Sequence, residues 1–246
     1  MCWTQLMVMG LMALALLPAP HAGAQELHVR PTGMELQEFA YPFPVSRFDF
    51  ASQGQTLSMA YMDVRPAQPN GRTIVLLHGK NFCGATWEGT IRPLQAAGYR
   101  VIVPDQAGFC RSTKPQGYQF SLHQLAANTR ALLRHLDAGR VTMIGHSMGG
   151  MLTMRHALLY PDDLDGIVLI NPIGLEDWQA EGVPYRTIDQ WYAGEQQVSF
   201  PGVKAYQQAT YYAGEWRPDY DRWVEMLAGM YVGEGRERVA WNQAQM

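Results

Sequence analysis

The stretch Gly145-His146-Ser147-Met148-Gly149 sets a serine between small residues, where the apolar run "RVTMI" gives way to a helical pattern beginning at Met148. G-x-S-x-G in a strand-turn-helix setting is the arrangement that lifts a serine hydroxyl clear of a sheet. Its mechanics need glycines, because strand and helix must approach closely around a strained residue. Ser147 is therefore the candidate nucleophile, and the chemistry would be attack on a carbonyl carbon. Such attack creates an oxyanion that needs donors, each contributing roughly 3 kcal/mol. The backbone N–H of Met148, first in the helix, is one candidate. The second should come from the loop after "TIVLLHG": Lys80 is the first choice, with Asn81 and Phe82 as alternatives.

Elements able to hold these groups can be read along the chain. "VSRFDFASQGQTLSMAYMDV" reads as two strands around a glycine turn, and "RTIVLLHG", "RVIVPDQAG", "RVTMIGH" and "LDGIVLINP" as further strands. Between them lie helical patterns: "TWEGTIRPLQAAGY", ending at Gly98; a stretch from Ser121, which serves as N-cap; and Met148 to Tyr160. Strands alternating with helices predict an α/β fold with a mostly parallel sheet covered on both sides, and ligands at the carboxyl ends of its strands. "HGKNFCG", "DQAGFCRS" and "GHSMGG" all fall at such ends.

From Leu175 onward the texture changes. Trp, Tyr, Gln and Gly become frequent, no β-branched run returns, and a helical, aromatic region broken at Gly214 and Pro218 is expected. Trp178, Trp191 and Tyr212 are candidate pocket walls only as a group, together with Phe82 and His146 beside the loop and the serine; for any one aromatic alone, packing between helices and sheet is the expected role. His146 neighbours Ser147, but successive strand side chains point to opposite faces, so a structural role is the expectation.

The 246 residues are 47% hydrophobic, enough for a sizeable core. A net charge of -3 and the lack of any Lys/Arg-rich run argue against a nucleic-acid partner. At the amino terminus an apolar run, Leu6 to Leu17, is followed by Ala22-Gly23-Ala24. This order predicts a signal peptide over 1–24, cleaved after Ala24, and hence an exported, periplasmic or secreted protein with no stable membrane association after cleavage. The n-region is weak, since no Lys or Arg precedes Arg30.

In order, "LLHGKNFCGATW", "VIVPDQAGFCRS", "IGHSMGG" and "LINPIG" resemble the oxyanion loop, the loop after the fourth strand, the nucleophile elbow and the sixth strand of the α/β-hydrolase superfamily, over about Val45 to Gly174. The resemblance implies a hydrolase core over 25–173 and a helical cap over 174–246. It also implies hydrolysis of an ester or related bond in a small-molecule substrate, with no metal or organic cofactor. Serine at the elbow separates the chain from superfamily members with aspartate there. A cofactor-free perhydrolase or haloperoxidase, and a non-catalytic binding protein on the same fold, are the other readings.

Two departures stand out. Cys110 occupies a position that is glycine in many relatives; the family's sheet makes its loop a neighbour of the loop holding Cys83, so either a disulfide or two buried thiols is expected. The family order is also Ser, then Asp or Glu, then His, yet no histidine follows His156 and the sequence closes at "RERVAWNQAQM". Glu176 and Asp177, after the sixth strand, suit a capping role better than a catalytic one, and Asp105 suits the "DQAGF" turn. The catalytic acid and histidine are thus expected outside this chain. The chain itself is expected to be the amino-terminal part of a longer enzyme, inactive alone and with an apolar sheet edge exposed.

Overall fold

The computed structural model describes residues 29–246, so the segment read as a signal peptide lies outside the described residues. Six strands form one sheet in the order β1-β2-β4-β3-β5-β6: β1 (Ser46–Ser52), β2 (Gln55–Val64), β3 (Thr73–Leu77), β4 (Arg100–Pro104), β5 (Val141–His146) and β6 (Leu164–Ile170). The first two run antiparallel, and β3 to β6 are mutually parallel along their shared edges. This is the mostly parallel sheet read from the sequence.

β3 shows why these residues make a central strand. All five of its side chains are buried. Alternation sends Val75 and Leu77 to one face, where they pack with Leu125, Leu132 and Leu152, and Ile74 and Leu76 to the other, where they meet Trp87 and Ile91. Helix α1 (Glu88–Ala96) covers the second face, while α2 (Leu122–His135) and α3 (Met148–Leu159) cover the first. The Ser121 hydroxyl accepts from the Gln124 N–H at 3.1 Å, fixing the start of α2.

Within α3, His156 is fully buried and neither ring nitrogen has a hydrogen-bond partner, although an Asp163 carboxylate oxygen lies 4.0 Å from Nε2. Burial pulls its pKa down to about 4, against the smaller opposing pull of Asp163. Between pH 4 and 6.5 the unfolded chain therefore binds the proton that the folded chain refuses. Stability held above pH 6.5 should fall by roughly 1–3 kcal/mol as pH drops toward 4. His156→Leu should flatten that part of a urea-unfolding series across pH; an unchanged slope would remove His156 as its source.

After β6 the described chain is helical: α4 (Ile188–Glu195), α5 (Phe200–Tyr211), α6 (Asp221–Gly229) and α7 (Arg236–Ala244). Gly214 adopts φ +84° just past α5, and Pro218 opens the short turn before α6, so both breaks fall where the sequence puts them. Helices α6 and α7 pack back onto the first described residues and the loop after β4. The Thr32 N–H donates to Gly229 O at 3.1 Å, and the Asn242 amide donates to Pro115 O at 3.1 Å. Among the described residues β6 pairs with β5 alone, and Ile167, Val168 and Ile170 stay exposed. No helix among them is long and apolar enough to cross a membrane.

Candidate active site

Ser147 ends β5 and caps α3 with φ 54° and ψ -119°, a conformation that non-glycine residues avoid at a cost of order 1–3 kcal/mol. Four backbone hydrogen bonds hold it there. Its N–H donates to Ile170 O at 3.1 Å, and its carbonyl accepts from the N–H groups of Gly150 (2.9 Å), Met151 (3.3 Å) and Ile173 (3.4 Å). The flanking glycines are steric necessities: a Cβ at Gly145 would sit 2.1 Å from Gly149 O, and one at Gly149 would sit 2.2 Å from Leu77 O. Helix and strands touch at backbone distance, as the motif requires.

The loop after β3 passes directly against this turn, since a Cβ on Gly79 would lie 3.1 Å from both Ser147 Cβ and His146 Nδ1. Of the three candidate donors, the Phe82 N–H is committed to Gly79 O at 3.2 Å. Among the described residues, no acceptor pairs with the N–H of Lys80, Asn81 or Met148. Lys80, Asn81 and Met148 thus keep uncommitted N–H groups near the serine.

Buried polar groups brace the loop. His78 Nε2 accepts from the Gln106 N–H at 3.0 Å, so Nδ1 carries the proton and donates to Gly79 O at 2.9 Å. Burial, more than any charge, lowers the His78 pKa and favours this neutral tautomer. Asp105 accepts from the Gly84 N–H (2.8 Å), the Arg111 N–H (3.0 Å) and the Tyr41 hydroxyl (2.6 Å), organising the turn after β4 as its sequence position suggests. Burial, then Asp105, pushes the Tyr41 hydroxyl well above its usual range. Asp177 accepts from the Ala180 N–H at 3.0 Å, a local turn contact.

Cys83 and Cys110 form a disulfide with Cα atoms 5.7 Å apart, closing the alternative of two free thiols. Cys110 holds φ +48°, which explains why glycine would suit that position. Although His78, Asp105 and Cys110 cluster within 4.8 Å, the Cys110 sulfur is spent in the disulfide and both Asp105 oxygens accept hydrogen bonds, which leaves no metal-ligand set there. The bridge links the serine-facing loop to the loop after β4. Cys83→Ala with Cys110→Ala should cost about 2–4 kcal/mol by loss of loop closure, read as a lower midpoint in denaturant. Equal midpoints for the oxidised protein and the variant would show that the bridge adds no stability.

Of the aromatic residues named from the sequence, two gather beside the serine. Phe82 and His146 pack edge-on at 5.7 Å, and Tyr211 joins both, at 4.9 and 5.9 Å, with Tyr206 behind it at 5.9 Å. Burial, then Tyr206, pushes the Tyr211 hydroxyl up to about 12. Tyr212 lies elsewhere: it stacks on Tyr220 at 4.0 Å and meets Trp216 edge-on at 5.4 Å. Consecutive helical residues diverge by about 100°, and the phase of α5 decides which of two adjacent tyrosines faces the serine. Trp191 lies beneath Lys80 Nζ at 5.3 Å and is 42% exposed; Trp178 is 47% exposed and joins no aromatic pair among the described residues. Lys80 Nζ pairs with Glu195 at 3.1 Å, and Glu195 also accepts from the Tyr231 hydroxyl at 2.6 Å, tying the loop to α4 and the residues after α6. The Lys80 charge is thereby paired, and the rings of Phe82 and Tyr211 gather on His146, the residue before Ser147.

No described histidine is placed to receive the serine proton. His78 is fully engaged, His146 packs among aromatics, His156 lies within α3 against Tyr160, and His123 and His135 belong to α2.

Comparison with known proteins agrees with this architecture. The sequence model of the alpha/beta hydrolase fold family matches residues 72–224. A crystal structure of a probable hydrolytic enzyme from Pseudomonas aeruginosa PAO1 is 61% identical with a TM-score of 0.87, covering 88% of this chain and 70% of its own. An AB hydrolase superfamily protein of Bacillus subtilis is 36% identical over 103 residues, 42% of this chain and 36% of that protein. A 2-hydroxy-6-oxo-2,4-heptadienoate hydrolase of Pseudomonas putida is 29% identical over 115 residues, 46% of this chain and 42% of its own length. The aligned stretches thus span less than half the length of these two curated relatives.

Proposed function

The chain belongs to the α/β-hydrolase fold family, and from that premise we propose that Ser147 is the nucleophile of a serine hydrolase acting on a small or medium, largely apolar ester or related carbonyl compound. The observation that carries the reading is the strained Ser147 turn pressed against the Gly79-Lys80 loop, with unpaired N–H groups on Lys80 and Met148. In this scheme Ser147 Oγ bonds to the substrate carbonyl carbon while its proton passes to a base. The resulting oxyanion accepts from the two N–H groups, and the alcohol leaves with the proton as the C–O bond breaks. Water then repeats the sequence on the acyl-serine. We place the base, a histidine, outside the described residues, because His78 is bonded on both ring nitrogens, His146 packs on Phe82 and Tyr211, His156 is buried within α3 and His123 and His135 lie on α2, and the P. aeruginosa relative has a longer chain.

The disulfide supports export to an oxidising compartment, as the amino-terminal residues do. The mostly aromatic, uncharged walls support a neutral small-molecule substrate. Treatment of the full-length protein, with its histidine base present, by a fluorophosphonate and peptide mass analysis tests the nucleophile: one adduct is expected, within residues 141–155. An adduct on another serine, or none, would overturn the assignment.

A further inference from the structure

Gln207 is the least explained buried group near this site. Its side chain is wholly buried in α5, and neither its amide nitrogen nor its oxygen has a hydrogen-bond partner among the described residues. A carboxamide offers two donors and two acceptor lone pairs, and burying it unpaired is costly, so a use for it is implied.

Its position suggests the use. Val203, Gln207 and Tyr211 follow one another at i, i+4 and i+8 along one face of α5. Val203 and Phe200 belong to the apolar cluster that includes Met148, the residue after the nucleophile. Tyr211, one turn beyond Gln207 in the other direction, packs on Phe82 and His146. The amide is thus flanked by two groups that touch the surroundings of Ser147, about 6 Å along the helix axis from Tyr211. Lys80, the cation on the loop that faces the serine, is paired with Glu195.

We infer that Gln207 is a specificity-determining residue, pairing with a neutral group of the substrate that both donates and accepts a hydrogen bond, such as a hydroxyl, a short distance from the reacting carbonyl. The inference rests on the Ser147 reading for the place of that carbonyl. An apolar wall with one buried amide selects a hydroxylated acyl chain over its plain counterpart, since only the former satisfies the amide. A carboxylate would be refused, having no cation to meet it.

The test is a binding measurement, which needs no turnover. A seven-carbon methyl ketone and its β-hydroxy analogue are titrated into wild type, Gln207→Leu and Gln207→Met by ligand-observed NMR. The hydroxyketone is expected to bind wild type about tenfold more tightly or better, and both variants are expected to bind the two ketones alike. Equal binding in wild type, a preference surviving in both variants, or no binding of either ketone would overturn the proposal. Two variants guard against one failing to fold; a purely structural Gln207 would instead weaken both ketones together. The fluorophosphonate adduct separates the two readings. A hydroxyketone preference without an adduct at Ser147 ends the nucleophile assignment and leaves the subsite, whereas an adduct without the preference does the reverse.

Discussion

In the full-length protein that carries the histidine base, Ser147→Ala is expected to lose turnover of p-nitrophenyl esters by roughly a million-fold and to lose the fluorophosphonate adduct entirely, while the fold persists. The magnitude follows from what is removed: a nucleophile that acts as one unit with its base leaves only the oxyanion donors and binding contacts behind when it goes. The fold should persist because the hydrogen bonds of residue 147 are made by its backbone, to Ile170 O and from Gly150, Met151 and Ile173. Alanine inherits the φ of 54° and its strain, so stability should barely move. Glycine at 147 should release part of that strain and raise stability by about 1 kcal/mol with the same loss of chemistry. The measurements are initial rates, intact mass and urea midpoints on the same three proteins. Turnover within tenfold of wild type in the alanine variant would show that the serine is a bystander.

Gly149→Ala should be among the most damaging single methyl additions in the described residues, costing about 3–5 kcal/mol. The added carbon would stand 2.2 Å from Leu77 O and 2.7 Å from His78 O, both backbone atoms of the central strand and the loop that follows it. No rotamer can relieve a clash between a Cβ and a carbonyl, so α3 would have to lift from β3 or the strand would have to bend. Either movement separates Met148 from Lys80, so activity should fall before the protein unfolds. Gly166→Ala is the matched control, since a Cβ there meets nothing within 4 Å. A loss below 1 kcal/mol at Gly149 would mean that the helix is held less closely than its backbone distances indicate.

Much of this was legible in the residues. The β-branched runs placed the strands because a strand buried on both faces has to be apolar throughout, as β3 is. The serine, its glycines and the loop from Gly79 were readable because the elbow's steric demands leave few residue choices. The Cys83–Cys110 pair became a bridge only once the loops after β3 and β4 were known to be neighbours, which depends on strand order and not on local sequence. Tyr211 and Gln207 were missed for a related reason. Tyr212 and Tyr211 carry the same chemistry, and only the rotation of α5 against Met148 and Phe82 distinguishes the wall from the neighbour. Gln207 gave no signal at all, since a polar residue in an amphipathic helix is ordinarily on its wet face.

The backbone contact between α3 and the central strands also bears on where motion can occur. The bonded amide hydrogens of Ser147, Gly150 and Met151 lie where helix and strand are separated by nothing compressible, so they should exchange with solvent only through large opening events. Helices α4 and α5 are joined to that rigid block through side chains, the Lys80–Glu195 pair and the Tyr211 edge contacts, and α4 buries no residue fully. Their exchange should be faster by orders of magnitude. A substrate reaching Ser147 would therefore meet a fixed floor and a yielding roof, and the rate of its passage would be set by how often the roof parts.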